Sequence, residues 1–180
     1  MGSVWRDART IPDLGQAMAL WLEGRIPSWP GYARGCGPDD ETRHLIPLLA
    51  RLNRAGIVTT NSQPGFDGPG YDRARWRQKA WVEAIVDDRN PLLDRIRQAA
   101  QAGGMTVLDA RFSGVHVITD RDGEPQTAID KRAMRIQWTH EWRGIGRPAL
   151  RELQHHGIRI ALIDPAWGRD DRLWPLLAAA

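Results

Sequence analysis

The chain has 180 residues and a net charge of +3 from 25 basic and 22 acidic side chains. That length suggests one domain over residues 1–180, large enough to bury a core. A mixture that is 42% hydrophobic and 26% charged excludes a disordered tract, and the single Cys36 excludes an internal disulfide or a four-cysteine zinc site.

The elements follow in chain order. Leu14, Ala17, Met18, Trp21 and Leu22 recur at helical spacing, so a helix is expected over Asp13 to Gly24. Pro27 to Pro38 reads as a Gly/Pro loop. A second helix starts near Asp39, carries Leu45, Leu48, Leu49 and Leu52, and stops at Gly56, with Pro47 bending or splitting it. Ile57-Val58-Thr59-Thr60 is a β-branched strand. Gln63 to Tyr71 reads as a loop, Arg73 to Asp87 as a third helix, and Asn90 to Ala102 as a fourth. Short strands are expected at Met105–Leu108, Val115–Thr119, Arg132–Trp138 and Ile158–Ile163, with a turn at Arg121–Glu124. A helix is expected over Pro148–His156 and a last helical turn or two over Asp170–Leu177. The fold class is α+β (mixed α/β), a single domain with central sheet flanked by four to five helices.

The longest unbroken apolar run, Ala17–Leu22, is too short for a membrane helix, and no apolar secretion signal opens the chain. No membrane association and a cytoplasmic location are the expectations. Basic residues cluster at Arg73, Arg75, Arg77 and Lys79, but acids interleave with them and no one-signed stripe forms. Nucleic acid is therefore not the expected partner.

Several constellations fail. There is no phosphate loop, and Gly35-Cys36-Gly37-Pro38-Asp39-Asp40 lacks the third glycine of a dinucleotide fingerprint. His155 and His156 are adjacent and diverge on a helix, and His140-Glu141 has no second histidine at helical spacing. No metal is expected. Cys36 in a Gly-Pro loop is read as incidental rather than as a thiol nucleophile with His44. The nine tryptophans are read first as core and rim packing, with a stacking role for one or two left unassigned.

One constellation holds. A helix from Glu41 to Gly56 rises roughly 21–24 Å. Six extended residues, Ile57 to Ser62, return roughly 20 Å. A tight turn at Gly56 would bring Asn61, Ser62 and Gln63 beside Glu41 and Thr42. A helix start favours anions, but Asp39, Asp40 and Glu41 place three formal negatives there and outweigh the dipole. A phosphate would be repelled, while ribose hydroxyls or a cation would suit. The alternative, that Asp39 caps the helix and its neighbours complement the dipole, stays open.

Glu41-Thr42, followed by Leu52-Asn53-Arg54-Ala55-Gly56-Ile57-Val58-Thr59-Thr60-Asn61-Ser62-Gln63-Pro64, resembles the C-terminal regulatory domain of eukaryotic-type methylenetetrahydrofolate reductase. Gln78-Lys79-Ala80-Trp81-Val82-Glu83 is similar to that family's Q-K-A-Y-L-E motif, and Leu20-Trp21-Leu22-Glu23-Gly24 to the helix before its site. The match covers about residues 15–85, with a weaker echo at Leu162-Ile163-Asp164-Pro165 and Leu173-Trp174. The resemblance implies binding of S-adenosylmethionine or S-adenosylhomocysteine, with Glu41, Thr42, Thr59 and Ser62 at ligand-contact positions. Asn61 and Gln63 would brace the loop, and Gln78 would reach it from the third helix. Ala161 stands where the family has a threonine, so that contact would be lost or replaced. The Gly-rich loop before Gln78 is shorter. The catalytic barrel, of roughly 250 residues, does not fit beside this domain.

The expected function is a stand-alone sensor or regulator that binds a small adenosyl ligand, with a separate protein as the partner that listens. The first alternative is a small S-adenosylmethionine-dependent enzyme, with Asp164, His140 or His116 as general base. The second is a protein or nucleic-acid adaptor that has lost the ligand.

Overall fold

The protein is described by a computed structural model covering residues 3–33, 35–136 and 141–180. A short helix α1 (Ser3–Asp7) precedes α2 (Ile11–Leu22). At the start of α2 the Thr10 hydroxyl accepts from the Asp13 N–H, and the Asp13 carboxylate accepts from the Thr10 N–H. This reciprocal capping satisfies two otherwise orphaned donors. The second helix is split: a 3-10 helix spans Asp40–Leu45 and α3 spans Ile46–Arg54. Pro47 falls in the first turn of α3, where its missing N–H costs no helical hydrogen bond. Asp39 precedes the 3-10 helix, but its carboxylate caps no backbone group there. Gly56 ends the segment with φ 84°, a left-handed conformation that glycine adopts at no steric cost.

The sheet is antiparallel throughout. Strands β1 (Ile57–Gln63), β2 (Phe66–Pro69), β3 (Arg75–Asp87), β4 (Thr106–Leu108), β5 (Val115–Arg121), β6 (Glu124–Asp130) and β7 (Gly157–Trp167) run in the order β4-β7-β3-β5-β6. The long β3 also pairs with β1 along its second half and with β2 along its first. Helix α4 (Leu92–Ala102) packs on β4, α5 (Arg147–His156) on β3 and β7, and α6 (Leu173–Ala179) on β7 and α4. The described chain is thus an α+β fold. No helix among the described residues is long and apolar enough to cross a membrane.

Val82, Ala84 and Val86 of β3 join Ile160 and Leu162 of β7 in the main core with the helices. Trp81, Ala161 and Ile163 join Ile118, Ile129 and Met134 in a smaller cluster. Alternate residues of the central strands therefore feed different clusters.

The segment Arg73 to Asp87 is a strand, not the expected helix. Every residue from Ala80 to Asp87 is buried, because β1 and β7 flank it and side chains are covered on both faces. A strand covered on both faces shows little alternation, so Trp76, Ala80, Val82, Ala84 and Ile85 also satisfy a helical template. Arg132–Trp138 is not a strand where it is described: residues 131–134 form turns, and 137–138 lie outside the described residues. The region from Gln63 to Tyr71, read as a loop, contains β2. The turn at Arg121–Glu124 leads into β6, a largely exposed strand with almost no apolar stripe to announce it.

Candidate functional site

Gly56 turns the chain so that β1 runs back along α3. The junction is locked by Asn53, which is fully buried. Its side-chain amide donates to the Leu49 carbonyl at 2.8 Å and to the Thr59 hydroxyl at 2.6 Å, and its carbonyl oxygen accepts from the Thr59 N–H at 3.0 Å. Further along, Thr59 pairs with Ala84 and Asn61 with Glu83, so Thr60 is an inserted residue in β1. A bulge of this kind re-aims the side chains beyond it. The Thr60 hydroxyl donates to the buried Glu83 carboxylate at 2.5 Å. Burial pushes the Glu83 carboxyl above its ordinary range, against the pull of Arg159 and of Thr60.

The return path brings the two ends of the motif together. Thr42, Thr59, Asn61 and Ser62 line one small cavity of about 60 Å³, with Trp21, Trp29, Tyr32 and Asp39 among its other walls. The Thr42 hydroxyl donates to the Asp39 carbonyl at 2.8 Å. Thr59 and Thr42 are both buried.

Glu41 and Gln78 line a second, larger cleft of about 560 Å³. Its Glu41 adjoins, in sequence, Thr42 of the first cavity. Its walls include Phe66, Tyr71 and Trp76, and Tyr71 is 94% exposed. The Tyr71 and Trp76 rings sit 6.4 Å apart at 31°, and the Trp76 indole donates to Asp72 at 3.0 Å. Although Glu41 is an exposed residue, its carboxyl faces this cleft. Lost hydration there raises its pKa, and the nearby Gln78 amide opposes that shift. Gln78 reaches the cleft from β3, where it pairs with Phe66 across the sheet.

The remaining motif residue is engaged elsewhere. The Gln63 amide donates to the carbonyls of Lys79 and Ile118 at 3.0 and 3.1 Å, and its oxygen accepts from Thr119. Gln63 therefore ties β1 to β3 and β5, and lines neither cavity. Ala161 is fully buried between Glu83 and Leu108 in the sheet and offers no polar group.

Residues distant in sequence complete the cleft. Asp170, just after β7, accepts from the Gly65 N–H at 2.8 Å and the Trp174 indole at 2.6 Å, and pairs with His44 at 3.2 Å. It clasps the turn after β1 to the C-terminal helix. Gly65 permits this approach, since a Cβ there would lie 2.3 Å from the Arg169 carbonyl oxygen. No local pattern marks Asp170, Phe66 or Tyr71 as site residues, whereas Trp21, Thr60 and Pro64 lay within the motifs that carry the resemblance.

Two of the proposed bases, Asp164 and His116, do not line this site. Asp164 is fully buried and held by the Arg169 guanidinium at 2.7–3.0 Å. His116 sits beside Lys79 at 3.4 Å, and burial followed by that charge lowers its pKa. His140 lies outside the described residues. Cys36 is exposed, and its carbonyl accepts from the Trp21 indole. Elsewhere, Asp87, Asp88 and His156 bring ligand-type atoms within 4.8 Å of one another. There, Arg89 already holds both Asp87 oxygens, at 2.8 and 2.5 Å.

This geometry defines an antiparallel α+β domain with a small cavity and an open, aromatic-walled cleft, lined respectively by Thr42 and Glu41 of one 3-10 helix. The family model described as a domain of unknown function (DUF6919) matches residues 1–180, and the chain belongs to that family. A comparison with curated proteins finds no match.

Proposed function

We propose that the chain is a binding module for a phosphate-free adenosyl ligand, S-adenosylmethionine or S-adenosylhomocysteine, acting in the cytoplasm as a sensor or regulator of a separate protein partner. The observation that carries this reading is the placement of Glu41, Thr42, Asn61, Ser62 and Gln78 along two depressions whose linings adjoin at Glu41 and Thr42. The cleft volume falls within the range of small-molecule sites. Its Tyr71 and Trp76 rings offer a face for a purine base. Glu41 would accept from ribose hydroxyls, and Gln78 would orient it. Asp39, Asp40 and Glu41 disfavour a phosphorylated nucleotide. Gln63 serves this reading as a brace rather than as a contact.

Isothermal titration with both adenosyl compounds tests it. Saturable heat with either, lost in Glu41→Ala, is the expected result. No heat and no thermal shift at millimolar ligand overturns it. His44, held by Asp170 at the cleft rim, supports a second reading as a small S-adenosylmethionine-dependent transferase. Conversion of S-adenosylmethionine to S-adenosylhomocysteine in the presence of cell extract, lost in His44→Ala, would favour that reading over a pure sensor.

A further inference from the structure

The smaller cavity has two unlike sides. One is polar, lined by Thr42 and by Thr59, Thr60, Asn61 and Ser62 of β1. The other is aromatic. Trp21 lies 6.1 Å from Trp29 at 63° and 5.5 Å from Tyr32 at 64°, so three rings meet edge-on around one corner. The Tyr32 hydroxyl donates to the Asp39 carboxylate at 2.9 Å, which sets an anion beside the rings. Among the described residues, that hydroxyl is the side-chain partner of this carboxylate.

The corner is held in place from several directions. The Trp21 indole donates to the Cys36 carbonyl at 3.1 Å, and the Trp5 indole to the Ser28 carbonyl at 2.9 Å, so both ends of the loop are tied to helices. Trp29 packs on the buried Trp142 at 5.8 Å. Gly31 passes so close to Trp29 that a Cβ would lie 2.2 Å from its ring. The rings are thus preorganised rather than free to collapse inward.

Size then decides what fits. A cavity of about 60 Å³ is far below the roughly 300–1,000 Å³ of a drug-sized ligand site, so it takes only a small group. A nucleoside is too large. A positive centre bearing methyl and methylene groups is the right size. Ring faces attract such cations and the carboxylate adds to the attraction, while its weak hydration makes it easier to bury than an ammonium.

We propose that Trp21, Trp29, Tyr32 and Asp39 form a cage for an alkylated onium head group, a sulfonium or a quaternary ammonium. The ligand's identity rests on the adenosyl reading above: the cage would hold the sulfonium of S-adenosylmethionine while the nucleoside occupies the neighbouring cleft. The module therefore discriminates by charge at the sulfur, and S-adenosylhomocysteine binds at least tenfold more weakly.

The test separates the cage from the nucleoside site. The full chain is titrated with tetramethylammonium, and separately with S-methylmethionine against methionine, while the tryptophan indole N–H signals are followed by NMR. Saturable shifts are expected with both cations, and shifts at least tenfold weaker with methionine. Tyr32→Ala and Asp39→Asn should each weaken cation binding about five- to tenfold, consistent with a partly desolvated cation–ring contact. Thermal unfolding of these two loop variants at the parent temperature confirms that they fold. If Tyr32→Ala does not fold, Tyr32→Phe, which keeps the ring and removes the contact to Asp39, takes its place, with weakened binding again expected. Equal binding of S-adenosylmethionine and S-adenosylhomocysteine, with no response to tetramethylammonium, overturns the cage and leaves the adenosyl reading standing. Cation binding that depends on Tyr32, with no response to either adenosyl compound, upholds the cage and removes the adenosyl reading. No response to any of these compounds overturns both.

Discussion

Asn53 and Thr59 are bound to each other twice inside the core, once through the Thr59 N–H at 3.0 Å and once through its hydroxyl at 2.6 Å. Six residues apart, they clamp the reversal between α3 and β1, and with it the position of every polar group further along β1. Asn53→Ala should cost about 2–3 kcal/mol, because it leaves the buried Thr59 N–H and hydroxyl without this partner. Urea unfolding measures this, and a cost under about 0.5 kcal/mol would show that the clamp is not structural.

Gly15 of α2 makes a close crossing with α3. A Cβ there would lie 2.2 Å from the Asn53 carbonyl oxygen. Alanine improves helix propensity by about 1 kcal/mol. Gly15→Ala should nevertheless destabilise the protein by about 1–3 kcal/mol, since two helices must separate. Thermal unfolding gives the sign directly, and a stabilised variant would contradict the close approach.

The ion-pair cluster at the end of β3 predicts an acid-sensitive stability. The Arg89 guanidinium beside Asp87 holds its carboxyl down at about 2. A group depressed in the folded state stabilises it fully above the ordinary carboxylate range, and that contribution disappears as pH falls toward about 2. Arg89 is more than half exposed, so screening leaves about 1 kcal/mol of stabilisation. Asp87→Asn should therefore lose about 1 kcal/mol at neutral pH, and the gap to the parent should close between about pH 4 and pH 2. A gap that stays constant across that range would refute the assignment.

Ligand binding should follow the charge of Glu41. Its pKa is raised mainly by lost hydration. The ionised carboxylate is the better acceptor for hydroxyls, so affinity should fall as pH drops through that raised value. The fall should begin at a higher pH than an ordinary glutamate would give. Glu41→Gln should weaken binding about tenfold near neutral pH, the cost of about one charge-assisted hydrogen bond, and flatten the profile. Titrations from pH 4 to 8 check both points.

The local sequence already specified the α+β class, the split at Pro47, the stop at Gly56 and the return of a β-branched strand toward the helix start. Each depends on short-range chemistry: proline's missing N–H, glycine's left-handed backbone and the crowding of branched side chains. Tertiary contacts alone decided the rest. Residues 75–87 are a strand because β2 and β5 hydrogen-bond to its first part and β1 and β7 to the rest, which no local period encodes. Gln63 turned inward because Lys79 and Ile118 present carbonyls there, and Asp170 reached Gly65 across about one hundred residues of chain. The small cavity and the cleft likewise depend on packing between distant segments: Trp21 and Trp29 line the one together with Thr59–Ser62, and Glu41 lines the other together with Trp76 and Asp170, so neither lining can be read from any one stretch of chain.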